Sequence, residues 1–112
     1  MSITPLPEAT FHILLSLAEE EKHGYAIIQD VEARTERELR LSPGTLYRSI
    51  QRMLEQGLIV ESNRRPARAL DDERRRYYRI TAAGIAAARS EMRRLMELVR
   101  LGRQRGLAPE SA

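Results

Sequence analysis

The chain has no cysteine, no tryptophan, one phenylalanine and one lysine in 112 residues. Without cysteine it forms no disulfide and no thiolate metal site, which fits a cytoplasmic protein. With Phe11 as the single phenylalanine, the core must come from Leu, Ile, Val, Met and Ala. No apolar run reaches the roughly 20 residues of a membrane span, and the N-terminus lacks the pattern of a signal peptide. A chain of this length makes one domain, with room for one appended element. Its core is modest, and small cores are often completed by a partner subunit.

What is present is arginine. The formal net charge is +3, and Lys22 is the sole lysine among 19 basic residues. Two readings fit this bias: a coding preference for arginine, or recognition of phosphates and bases by its planar fork. Counting does not separate them, so position must decide.

Helical spacing begins after Pro7, with Ala9, Ile13, Leu14, Leu17 and Ala18 on one stripe and Phe11 and Leu15 widening it. His23-Gly24 breaks this first helix. "YAIIQDVEARTE" reads as a second helix, with Tyr25, Ile28 and Val31 on its core face and Ile27 beside them. "RELRL" reads as a short extended link in which Leu39 and Leu41 alternate with Arg40. "SPGTLYRSIQRM" opens a third helix over residues 43–56. Ser42 is a good N-cap and Pro43 suits the first helical position. Leu46, Ile50, Met53 and Leu54 form its core stripe, and Gly57 stops it. "LIVES" and "YYRIT" are strands by composition. Between them lies the charged, Pro-interrupted loop "NRRPARALDDERR". Thr81 caps a last helix through "AAGIAAARSEMRRLMELVRLGRQR", longer than the head can cover.

The expected fold is mainly α with a small β-hairpin, an α+β chain of the winged helix-turn-helix type with a long C-terminal dimerisation helix. Residues 1–81 form the head, 82–106 the dimerisation helix and 107–112 a disordered tail. With its stripe facing the core, the third helix turns Arg48, Gln51, Arg52 and Glu55 outward. Its N-terminal amides and positive dipole end favour an anion, and a small Gly44 permits close approach. A recognition helix meets the major groove with such an end. Double-stranded DNA is therefore the expected partner, contacted by Ser42, Gly44, Thr45, Tyr47, Arg48, Ser49 and Arg52. Arg64, Arg65, Arg74, Arg75 and Arg76, at the two edges of the hairpin, are expected on phosphates.

"HGYAI", "SPGTLYRSIQRMLEQGLI" and "RRYYRITAAG" together resemble the PadR family of bacterial transcriptional regulators. The motifs run from His23 to Gly84, in order and each on its expected element. The resemblance implies a homodimeric repressor with a winged-helix head and one C-terminal dimerisation helix, as in the shorter branch of the family. It implies that Tyr47 is the characteristic recognition-helix tyrosine. Tyr25, Tyr78, Thr81 and Gly84 match further motif positions. It also implies release from DNA by a small molecule or a stress signal. A pocket for such an effector is expected between the terminal helices and the first helix. The drug-stacking tryptophan of some short members has no counterpart here.

The last helix asks for a second copy independently. Ile85, Ala88, Met92, Leu95 and Val99 recur at alternating spacings of three and four, an a/d seam widened by Met96, Leu98 and Leu101. Arg89, Arg93, Arg94 and Arg100 are expected on the remaining faces with Glu91 and Glu97. That seam is expected against a symmetry mate and against Phe11 and Leu15. A two-fold dimer would read an inverted repeat. Tyr25 and Tyr78 are expected in the core. Neither His12 nor His23 has a ligand partner at metal spacing. Asp71, Asp72 and Glu73 read as a solvated run. No cofactor is expected and no nucleophile–base set is apparent, so an enzyme is not expected. A winged-helix docking module for an acidic protein is the alternative, though the outward face of the third helix carries no apolar hot spot.

Overall fold

The computed structural model describes residues 5–62 and 76–107. Seven elements follow in order: α1 (Glu8–Glu19), β1 (Lys22–His23), α2 (Gly24–Arg34), α3 (Pro43–Glu55), β2 (Ile59–Glu61), β3 (Tyr77–Ile80) and α4 (Ala82–Gln104). The strands form an antiparallel sheet in the order β1-β3-β2. Lys22 pairs with Tyr78, and Ile59 with Ile80. The architecture is mainly helical with a small sheet, as expected, but the sheet holds a third strand that the sequence pattern hid.

That strand sits where a break was expected. Lys22 is buried, and its ammonium donates to the Ser16 carbonyl at 2.7 Å and to Glu19 at 2.9 Å. A cation there satisfies the carbonyl end of α1 and matches its dipole. His23 then accepts from the Ala26 amide through Nδ1 at 3.2 Å, capping α2. Two residues of strand are too short to leave a period, and a histidine cap is not among the preferred types.

The core is one cluster of Ile13, Leu14, Leu17, Ile27, Val31, Leu41, Leu46, Ile50, Met53, Ile59 and Tyr78. The α1 stripe includes Thr10 and Ser16, whereas Ala18 is exposed. On α2 the core face is Gly24, Ile27 and Val31. Tyr25, expected inside, is 60% exposed. Because α2 starts at Gly24, its buried stripe runs through the glycine and Ile27 rather than through Tyr25. "RELRL" is no strand. Leu41 is buried and Leu39 packs on the core, so the alternation holds without a ladder. The link turns through Glu36 and Arg37, both left-handed at φ 52° and 69°. Such non-glycine residues cost about 1 kcal/mol or more each. The Thr35 hydroxyl holds the turn by donating to the Val31 carbonyl at 2.9 Å and accepting from Leu39 N at 3.1 Å.

One joint ties head to C-terminal helix. Thr81 caps α4 by accepting from Gly84 N at 3.0 Å, and donates to the Gly57 carbonyl at 2.6 Å. Its own amide donates to the Leu58 carbonyl at 3.1 Å. A Cβ on Gly84 would stand 2.1 Å from that same Leu58 oxygen. Backbone meets backbone here, which only glycine allows.

Candidate nucleic-acid interface

The third helix presents the surface that its sequence promised. The Ser42 side chain accepts from Thr45 N at 3.1 Å, fixing the helix start at the N-cap. Leu46, Ile50 and Met53 are buried, and Arg48, Gln51, Arg52 and Glu55 are exposed. Gly44 is exposed, and the nearest atom to a Cβ built on it is Nη1 of Arg48, at 3.5 Å. The Arg48 guanidinium thus folds back over the first turn of α3, adding a full positive charge to the partial charge of the helix end. Among the described residues neither Arg48 nor Arg52 forms an ion pair with a protein carboxylate. Gln51 donates to Glu55 at 3.3 Å. Thr45 and Ser49 are half-buried on the flank, and Tyr47 is 36% exposed.

Beside α3 stands the hairpin. Its expected loop residues Arg64, Arg65, Arg68, Asp71, Asp72, Glu73, Arg74 and Arg75 lie outside the described residues. Arg76 is described, exposed and 3.7 Å from Glu61 across the strands. Ser62, buried at the base, hydrogen-bonds the Glu21 carboxylate and donates its amide to the Tyr77 carbonyl at 2.7 Å. The hairpin root is therefore pinned to the turn after α1. Burial pushes the Tyr78 phenol above its ordinary value, and nearby Tyr47 and Glu61 push the same way.

Along α4 the seam residues split. Ala88 and Leu95 are half-buried against the head, as are Phe11 and Leu15 on α1. Ile85, Met92, Met96 and Val99 are exposed, and so are Leu98 and Leu101. The surprise is Glu91, expected outward and in fact 3% exposed. Its carboxylate accepts from the Arg94 guanidinium at 2.9 and 2.6 Å and from Leu6 N at 3.3 Å. The Arg94 hydrogen bonds hold the Glu91 carboxyl below its usual range, against the effect of burial. Among the described residues no group of His, Cys, Asp and Glu is arranged to hold a metal, and no helix is long and apolar enough to cross a membrane.

A family model described as the transcriptional regulator PadR-like family matches residues 13–90. The transcriptional regulator Rv3488 of Mycobacterium tuberculosis is 39% identical over 89 residues, covering 80% of this chain and 77% of that one. This chain belongs to the PadR-like family of transcriptional regulators. Solved structures agree on the fold. A PadR family transcription regulator from Clostridium difficile superposes with a TM-score of 0.72 at 21% identity, covering 88% of this chain and 97% of that one. A transcriptional regulator from Clostridium thermocellum gives 0.71 at 23% identity, covering 85% and 89%.

In this PadR-like regulator the residue-by-residue reading missed two features beside α3. Tyr25 is a large exposed aromatic in the first turn of α2. Gly24 is buried against Tyr47, whose hydroxyl occupies the space of a Cβ. The "HGY" motif held both. Its meaning depends on how α2 crosses α3, which no local pattern records.

Proposed function

We propose that this PadR-like regulator binds double-stranded DNA as a homodimer and represses transcription from an inverted-repeat operator in the cytoplasm. Residues 1–81 act as the DNA-binding head and 82–106 as the dimerisation helix. The observation that carries the reading is the Arg48 guanidinium folded over the exposed first turn of α3. The arginine charge and the positive end of the helix dipole converge there, as a groove-reading helix requires. Arg48 and Thr45 read base edges, while Ser42, Tyr47, Ser49 and Arg52 position the helix on phosphates, with Gly44 allowing close approach. Arg76, together with Arg64, Arg65, Arg74 and Arg75, extends the phosphate contact in this reading. The exposed apolar side chains of α4 support dimerisation, because an a/d stripe without a partner leaves Met92, Met96 and Val99 in water. Two heads on a two-fold axis then meet successive major grooves about 34–36 Å apart.

A gel shift on the duplex upstream of the chain's own coding sequence tests this. Affinity falls steeply with salt as phosphate counterions are released. Arg48→Ala costs roughly 1–3 kcal/mol on the cognate site and much less on scrambled duplex. Equal loss on both would make Arg48 a phosphate contact, and no binding at low salt would end the reading.

An effector fits the cleft between α1 and α4. It has a volume of about 320 Å³ and is lined by Leu6, Phe11, His12, Glu91 and Leu95 among others. His12 Nδ1 is buried there without a hydrogen-bond partner among the described residues. A ligand wedged between the two helices would change the angle between the heads, and groove spacing tolerates little error. Phenolic acids are the first probes, read by joint change in melting temperature and DNA release.

A further inference from the structure

Gly24 opens α2, and its backbone gives no reason for glycine. The positive-φ glycines are Gly57 and Gly106, so Gly24 adopts a conformation open to any residue. Alanine at a helical position is ordinarily the more stable choice. The reason lies in what fills the missing side chain's place. The Tyr47 hydroxyl is 2.6 Å from that point, its Cζ 3.0 Å and the Leu46 Cδ2 3.1 Å. Tyr47 thus crosses from the recognition helix to the first residue of the preceding helix, while remaining partly exposed.

We infer that Gly24 is a positioning residue for the DNA-binding face: its bare backbone is the seat that holds the Tyr47 hydroxyl at the junction of α2 and α3. This rests on the DNA-binding reading above. The two neighbours of the seat answer a methyl group differently. Leu46 is fully buried in the core, and its Cδ2 at 3.1 Å need yield by only a few tenths of an ångström. Tyr47 borders a cleft of about 330 Å³ shared with Gln51, Glu61 and Tyr78, so its ring has room to swing. A side chain at position 24 therefore displaces the ring and leaves the helices in place. A phenol held at one point can donate to one phosphate oxygen, and a swung ring cannot.

The test uses a duplex recovered by the wild-type protein from a randomised pool. Gly24→Ala is expected to keep the fold, shift the NMR signal of the labelled Tyr47 ring, and weaken binding about tenfold, the size of one lost hydrogen bond. In a Tyr47→Ala background the same substitution should change affinity by less than about twofold, because the two residues act as one unit. Binding unaltered by Gly24→Ala, or an equal loss when Tyr47 is already absent, overturns the proposal. A wild-type protein that recovers no duplex at low salt overturns the DNA reading instead. In that case the ring signal still judges the seat, which fails if Gly24→Ala leaves that signal unmoved.

Discussion

In the head, Ile13, Leu14, Ile27, Leu46 and Met53 are all 0% exposed, whereas in the outer part of α4 Met92, Met96, Leu98 and Val99 are 44–64% exposed. Both regions carry helical apolar stripes of similar density. The first closes on itself through three helices and a sheet; over its 23 residues the second buries only Gly84 and Glu91. An apolar stripe is thus a demand for burial that does not say which chain supplies it. In the head the demand is met within the chain. On α4 it is open, and a second copy supplies the complementary stripe in the reading proposed above.

The largest test of that contrast removes a side chain from each region. Ile13→Ala leaves a cavity in a closed core and should cost roughly 2–5 kcal/mol in denaturant unfolding, whatever the protein concentration. Met96→Ala should cost the dilute head almost nothing, yet lower the midpoint at high concentration, where mass action stabilises a dimer. A concentration-independent effect of Met96→Ala would break the comparison, because α4 would then have its partner within its own chain.

The next test strikes the joint between the regions. Gly84→Ala places a methyl against the Leu58 carbonyl oxygen, 2.1 Å away. Neither atom belongs to a side chain that can rotate away. The substitution should cost about 3 kcal/mol, the upper end of overpacking in a close-packed interior. Thermal unfolding measures it. A loss comparable to an exposed-helix glycine replacement would mean that α4 slides freely on the head.

How much of this was legible in the sequence follows the same division. Elements with a strong period and a side-chain cap were readable: Ser42 with the Leu46, Ile50, Met53 stripe placed α3, and Thr81 placed α4. The outward face of α3 followed from geometry alone. Features made by two elements meeting were not readable residue by residue. β1 exists only because Lys22 and His23 find Tyr78 and Tyr77 across the sheet. Gly24 has meaning only because Tyr47 arrives from α3, and Glu91 was misplaced outward because a charged residue on a helix is ordinarily solvated. Its burial depends on Leu6, 85 residues away from it along the chain, and on Arg94, one turn away.

Glu91 supplies the smallest test, and it sits where the two regions touch. Its carboxyl is held below the usual glutamate range, chiefly by the Arg94 hydrogen bonds. A folded-state value below the unfolded one means that the native state binds the proton less tightly. The stabilisation is therefore complete above the unfolded value and fades as pH falls through the lower, folded one. Unfolding midpoints should fall as pH drops below the ordinary glutamate value of about 4.3 in the wild type, with part of that slope absent in Glu91→Gln. Glutamine keeps an acceptor for Leu6 N and for Arg94 but carries no titrating charge. An unchanged acid slope in Glu91→Gln would mean that the carboxylate is as well solvated as any on the surface. The charge on Glu91 would then contribute nothing that separates this buried stretch of the helix from its open end.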